Sequence, residues 1–232
     1  MAEADVARIV ALGVPVLCFD TCTALDLMRD PTREAIKAHE RRAALDLLSA
    51  IENLGPPALL MAEQVQREFN ENADGVEEDA RAALRKLKAQ IQRIDEIAAV
   101  YGAVGLTNLD HLNNHVIQAR QVADRWIRAA ALVRPGADIP SRAVQRVLEA
   151  RTPAKKGKDS TKDCVVIETY LDVVTGLRAA GLSAPIVFVS SNVKDYAEGT
   201  GTRLHSDLAS EFASLALEFA PNLAAAKHFL GL

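Results

Sequence analysis

Aromatic residues make up only 4% of this 232-residue chain. With so few large rings, its core must be filled mainly by Ala, Leu, Ile and Val, a bias that favours helices with small, close-packed faces. Cysteine is scarce as well. Cys18, Cys22 and Cys164 are odd in number, and no pair has a zinc-ligand spacing. That argues against a disulfide framework and points to reduced thiols in a cytoplasmic protein. No run of about 20 apolar residues exists, so no membrane span is expected. The N-terminus carries Glu3 and Asp5 early and lacks the basic, apolar and cleavage-site order of a secretory signal. Positive charge is not in excess either. The formal net charge is −4, which argues against a tight, non-specific nucleic-acid coat but leaves room for a local cationic groove. No Ser-His-Asp or Cys-His arrangement is present. Of the histidines His39, His111, His115, His205 and His228, only His111 and His115 have an i, i+4 zinc spacing, and no third ligand motif lies near them.

What the chain does have is short apolar runs separated by helical patterns. Residues 14–20 read as a buried strand of the parallel-sheet kind, and Ala58 to Met61 as a second. Ile186 to Ser190 reads as a third and Leu215 to Phe219 as a fourth. Helices are expected over 5–12, Thr21 to Arg29, Pro31 to Asn53, from Glu63 onward, Arg142 to Glu149, Ser160 to Arg178 and Pro221 to Leu230. Between Glu77 and Val133 the pattern is almost wholly helical, broken at Gly102 and Gly105, with a second helix from Leu109 to about Leu132. Strands alternating with helices imply one α/β domain, 1–232, a three-layer α/β/α sandwich around a parallel sheet. The stretch 75–150 reads as a helical hairpin inserted in it.

In open parallel sheets, chemistry sits outside the carboxyl ends of the strands. Asp20 closes the first strand, and Ser190-Ser191-Asn192 follow the third, with Asp195 three residues on. Glu68 lies on the helix after the second strand. Asp163 lies in Lys158-Asp159-Ser160-Thr161-Lys162-Asp163. Each has an ordinary explanation. Asp20 suits a helix N-cap. Asp163 suits a capping box with Ser160, although that motif prefers Glu or Gln. Glu68 suits a solvated helix face. Glu168 reads as a surface charge or as a residue that supports a ligand from behind; five residues from Asp163, it turns about 140° away on a helix.

Taken together, strand-Asp, helix-Glu, helix-Asp and Phe188-Val189-Ser190-Ser191-Asn192-x-x-Asp195 resemble the PIN domain superfamily of metal-dependent nucleases. The resemblance covers 14–30, 58–72 and about 153–232. It implies an acidic pocket of Asp20, Glu68 and Asp163. Many PIN domains have Asp where this chain has Asn192, so either Asn192 or Asp195 completes the set. The implied cofactor is Mg²⁺ or Mn²⁺, which prefers oxygen ligands. The implied activity is an endoribonuclease, possible toxin included, whose partners would be single-stranded RNA, a small protein inhibitor or antitoxin, or a second copy in a homodimer. The alternative is a catalytically weakened RNA- or protein-binding module. Lys155, Lys156, Lys158 and Lys162 form a cationic loop suited to a phosphate backbone, and Ser190 and Ser191 are further candidates for contacting substrate.

Overall fold

The computed structural model describes residues 3–155, 157, 159–199 and 203–232. Lys156 and Lys158 lie outside the described residues. In chain order, the elements are α1 (Glu3–Leu12), β1 (Val16–Phe19), α2 (Thr21–Asp26), α3 (Ala38–Glu52), β2 (Ala58–Ala62), α4 (Glu63–Val100), α5 (His115–Ala129), β3 (Ala131–Val133), α6 (Ile139–Leu148), α7 (Thr161–Ala179), β4 (Ile186–Val189), α8 (Val193–Tyr196), β5 (Ala197–Glu198), β6 (Arg203–Leu204), α9 (Ser206–Ser214), β7 (Leu217–Ala220) and α10 (Leu223–Phe229).

Five strands form one parallel sheet in the order β3-β2-β1-β4-β7. β1 and β4 are buried along their whole lengths. This is why Val16-Leu17-Cys18-Phe19 and Ile186-Val187-Phe188-Val189 are continuous apolar runs with no alternation: helices cover both faces. The chain steps outward from β1 through β2 to β3, then returns to the other side of β1 for β4 and β7. The order therefore reverses between β1 and β4, where a crevice opens beyond the strand ends.

Two expectations need correction. The sheet has five strands, not four. Ala131–Val133 forms an edge strand against β2, with Leu60 opposite Ala131, where a helix to Leu132 was expected. The helix of the 31–53 region begins at Ala38, not at Pro31. Elsewhere element ends differ by one to three residues, except that α5 begins at His115 rather than Leu109, and that α8, the β5–β6 pair and α9 were not expected. As expected from Glu63 onward, α4 is helical, and it is unbroken for 38 residues, about 57 Å at the standard rise. Its first turns are built in through Val65, Phe69 and Ala73, and Ala80 and Leu84 pack with Val116 of α5.

One buried hydroxyl fixes the site end of the sheet. The β1–β2 pairing ends at Cys18 opposite Leu60. Just beyond it, Tyr170 of α7 donates its hydroxyl to the Phe19 carbonyl (2.6 Å) and accepts from the Ala62 N–H (3.0 Å). The last backbone groups of two diverging strands are thus satisfied by one side chain, as buried polar backbone requires. This pins α7 at the residue before Asp20 and the residue before α4.

Candidate active site

Asp20 follows β1 directly, is 3% exposed, and caps α2 by accepting from the Thr21 N–H at 2.7 Å. Cap and site residue are therefore the same side chain. Its other oxygen accepts from the Ser190 hydroxyl (2.8 Å) and the Cys22 thiol (3.0 Å). All three donors are neutral. Burial pushes the Asp20 carboxyl above its ordinary range; the bonds from Cys22, Ser190 and Thr21 oppose this, and the nearby Glu68 charge adds to it. Burying a carboxylate without a cation is costly.

The other acidic residues arrive from different elements. Glu68, half-buried on the second turn of α4, accepts from the Thr21 hydroxyl (2.8 Å) and from Gln64 Nε2 (2.8 Å). Thr21 therefore joins Glu68 to the Asp20 cap. Beyond β4, the Asn192 N–H donates to Ser190 Oγ (3.2 Å), and Asn192 Nδ2 donates to Asp195 Oδ2 (2.7 Å). Asp195 is buried and also meets Lys155 Nζ at 3.0 Å. Asp163 is half-buried in the first turn of α7. Its capping partner Ser160 makes no side-chain cap bond to that helix; instead Asp159 accepts from the Thr161 N–H (3.1 Å).

Tyr196 ties these groups together electrostatically. Its phenol is fully buried, and burial raises its pKa well above the ordinary value. Asp20, Asp163, Cys22 and Asp195 raise it further. The Tyr196 hydroxyl has no hydrogen-bond partner among the described residues. Sequence reasoning passed over Tyr196, because a lone tyrosine after Asp195 carries no motif. Cys22, read from the sequence only as a reduced thiol, touches both Asp20 and Ser190 (3.3 Å to the latter).

The donors are hard oxygens, and a buried carboxylate meeting only neutral donors, with an unsatisfied phenol within reach of the same charges, suits a divalent cation. Among the described residues, however, no three His, Cys, Asp or Glu side chains stand close enough together to hold one as they are placed. Asp20 and Asp195 are turned toward protein partners instead.

The cationic loop is also partly engaged. Lys155 reaches Asp195 and the Lys194 carbonyl, and Lys162 pairs with Glu71 at 3.0 Å. Glu168 is not a surface charge. It is 4% exposed and pairs with Arg146 Nε (2.6 Å) and with Arg142 (2.7 Å), facing α6 rather than the pocket. Arg146, 1% exposed, also holds Glu211 (2.9 Å) and the Thr152 carbonyl (2.6 Å), so this network anchors the start of the loop that carries Lys155.

A family model described as PIN domain matches residues 17–196, including the helical stretch 75–150. Searches of curated proteins and of solved structures returned no match. No helix among the described residues is long and apolar enough to cross a membrane.

Proposed function

This chain belongs to the PIN domain family, whose members are generally nucleases, and from that premise we propose that it is a Mg²⁺- or Mn²⁺-dependent endoribonuclease acting on single-stranded RNA. The observation that carries the reading is Asp20: a buried carboxylate with raised pKa at the strand-order reversal, neighboured by Glu68 and met only by neutral donors. Asp20, Glu68, Asp163 and Asp195, with the Asn192 amide oxygen, are the residues that would hold the ion. Bound there, it would lower the pKa of a water and offset charge on the phosphate. Ser190 and Thr21 orient Asp20 and Glu68. Asn192 holds Asp195, and Lys155 neutralises it until an anionic strand competes for that ammonium. In this reading 75–150 elaborates a single domain and is not a separate one.

Wild-type protein should cleave single-stranded RNA with Mn²⁺, and Asp20→Asn and Asp163→Asn should each abolish cleavage. RNA left intact by the metal-loaded wild type would refute the proposal. A second reading, a binding module with a weakened site, is favoured by one observation: Asp195 is already occupied by Lys155 and Asn192. It predicts RNA or protein binding that both Asn variants retain.

A further inference from the structure

A cavity of about 600 Å³ opens beside the acidic site. Cys22, Ser191 and Asn192 form its wall on the site side, and Arg29, Arg33 and Arg41 enter from the connection between α2 and α3 and from the first turn of α3. Its volume falls within the roughly 300–1,000 Å³ of small-ligand sites. Leu27, Ile36, Val193, Pro221 and Leu223 add an apolar side, and Asn222 a polar edge. The mix suits a ligand with one flat, weakly polar part and one strong anion.

The arginines are not fully spent on the protein. Arg29 Nε lies 2.7 Å from Asp26 Oδ1, but off hydrogen-bond geometry: it is buried with no hydrogen-bond partner among the described residues. Arg41 forms no side-chain hydrogen bond or close ion pair among them. Burial lowers its pKa, the more distant charges of Asp26 and Glu40 oppose that, and Arg29 adds a like-charge push. Asp26 and Glu40 are the acids of the lining, so three guanidinium groups face two carboxylates. Two partly buried guanidinium groups that repel each other, and still have free donors, are stabilised by a shared anion; planar guanidinium matches phosphate oxygens in pairs.

We propose that this cavity is a nucleotide subsite, taking a nucleoside monophosphate unit of the substrate strand next to the cleaved bond: Arg29 and Arg41 hold its phosphate, Arg33 stands at the exposed mouth, and the Ile36–Leu223 side takes the base. The assignment of the nucleotide to a substrate strand rests on the nuclease reading. The chemistry of the cavity does not.

The test is equilibrium binding to the full chain in EDTA, where cleavage is silent. The probes are AMP and a 3′-labelled, 5′-phosphorylated single-stranded hexaribonucleotide. Arg41→Gln should weaken both by about 10- to 100-fold, the loss of a charge-assisted hydrogen bond of roughly 1.5–3 kcal/mol. Arg33→Gln, at an exposed position that leaves the fold intact, should weaken the oligonucleotide about two- to fivefold, as for an exposed pair. A strand subsite binds the hexamer more tightly than AMP; AMP binding the tighter overturns the strand assignment. Unchanged binding of both probes in Arg41→Gln and in Arg33→Gln overturns the subsite. Cleavage assayed beside this keeps the two ideas apart. An RNA-cleaving enzyme whose KM ignores both arginines sinks the subsite and spares the nuclease, whereas arginine-dependent binding without cleavage does the reverse.

Discussion

Replacing Glu168 with Ala should cost this protein about 3 kcal/mol, although the residue touches neither metal nor substrate in the proposed chemistry. Glu168 Oε1 accepts from Arg146 Nε at 2.6 Å and its Oε2 from Arg142 at 2.7–2.8 Å. Arg146 and Glu168 side chains are 1% and 6% exposed. Removing one partner of a buried pair typically costs about 3–5 kcal/mol, because the other charge stays behind without compensation. Here Arg146 keeps Glu211 and the Thr152 carbonyl, which sets the loss at the low end. For a chain of this length each kcal/mol moves Tm by roughly 2–4 °C, so the expected drop is about 6–12 °C. Reversible urea unfolding gives the free energy directly, and the double change Arg146→Met/Glu168→Leu should recover much of it, since apolar replacements of buried ion pairs are often neutral. A loss below about 1 kcal/mol for Glu168→Ala would refute the reasoning: water would then be serving Arg146, and the network would not be what closes α6 onto α7.

Ser190→Ala removes a donor from Asp20 and should weaken Mn²⁺ binding by about 10- to 100-fold, as loss of ligand-orienting partners does; calorimetric titration with an unchanged affinity would contradict that role. Asp20→Asn should raise Tm in metal-free buffer at neutral pH. With a raised folded pKa, the native state binds more protons between the unfolded value of about 3.9 and the folded one, so the wild type loses stability as pH rises through that window while the Asn variant does not. A gap that fails to widen from acid to neutral pH would count against it. Asp207 has the opposite sign. Burial raises its pKa, but the Thr152 N–H (2.7 Å) and hydroxyl (2.8 Å), together with the backbone N–H groups of Asp207 and Leu208, more than offset that, so the net shift is downward. Its stabilisation is present above the unfolded pKa and lost as pH falls through the folded one. Acid unfolding of Asp207→Asn should therefore show a shallower loss below about pH 4.

The place of the candidate site in the fold could be read in part from the chain, because burial leaves a linear trace. Val16–Phe19 and Ile186–Val189 are apolar without alternation, and the polar residue that ends each, Asp20 and Ser190, falls at the strand terminus. Glu68 could be placed on its helix, and Asp163 and Glu168 on different faces of theirs. β3 could not, since three residues directly after α5 are too short to break a helical pattern. Glu168 could not be assigned its role either, because its partners Arg142 and Arg146 lie 26 and 22 residues away on a helix whose packing is tertiary. The Arg29–Arg41 cavity left no trace, since arginines near a helix start look like solvated charge until a cavity is seen between them.

The α4 helix carries Glu68 near one end, with Val65 and Phe69 locked in the core, while beyond Leu84 none of its residues is buried, and Ile97 and Val100 are 53% and 83% exposed. Amide exchange along this one rod should therefore run a gradient, from global-unfolding protection at the first turns to fast fraying at the last, because local opening free energy follows buried contact. The turn bearing Glu68 is insulated from that fraying by nearly the whole helix, so truncating or lengthening the far tip would leave its carboxylate where it stands.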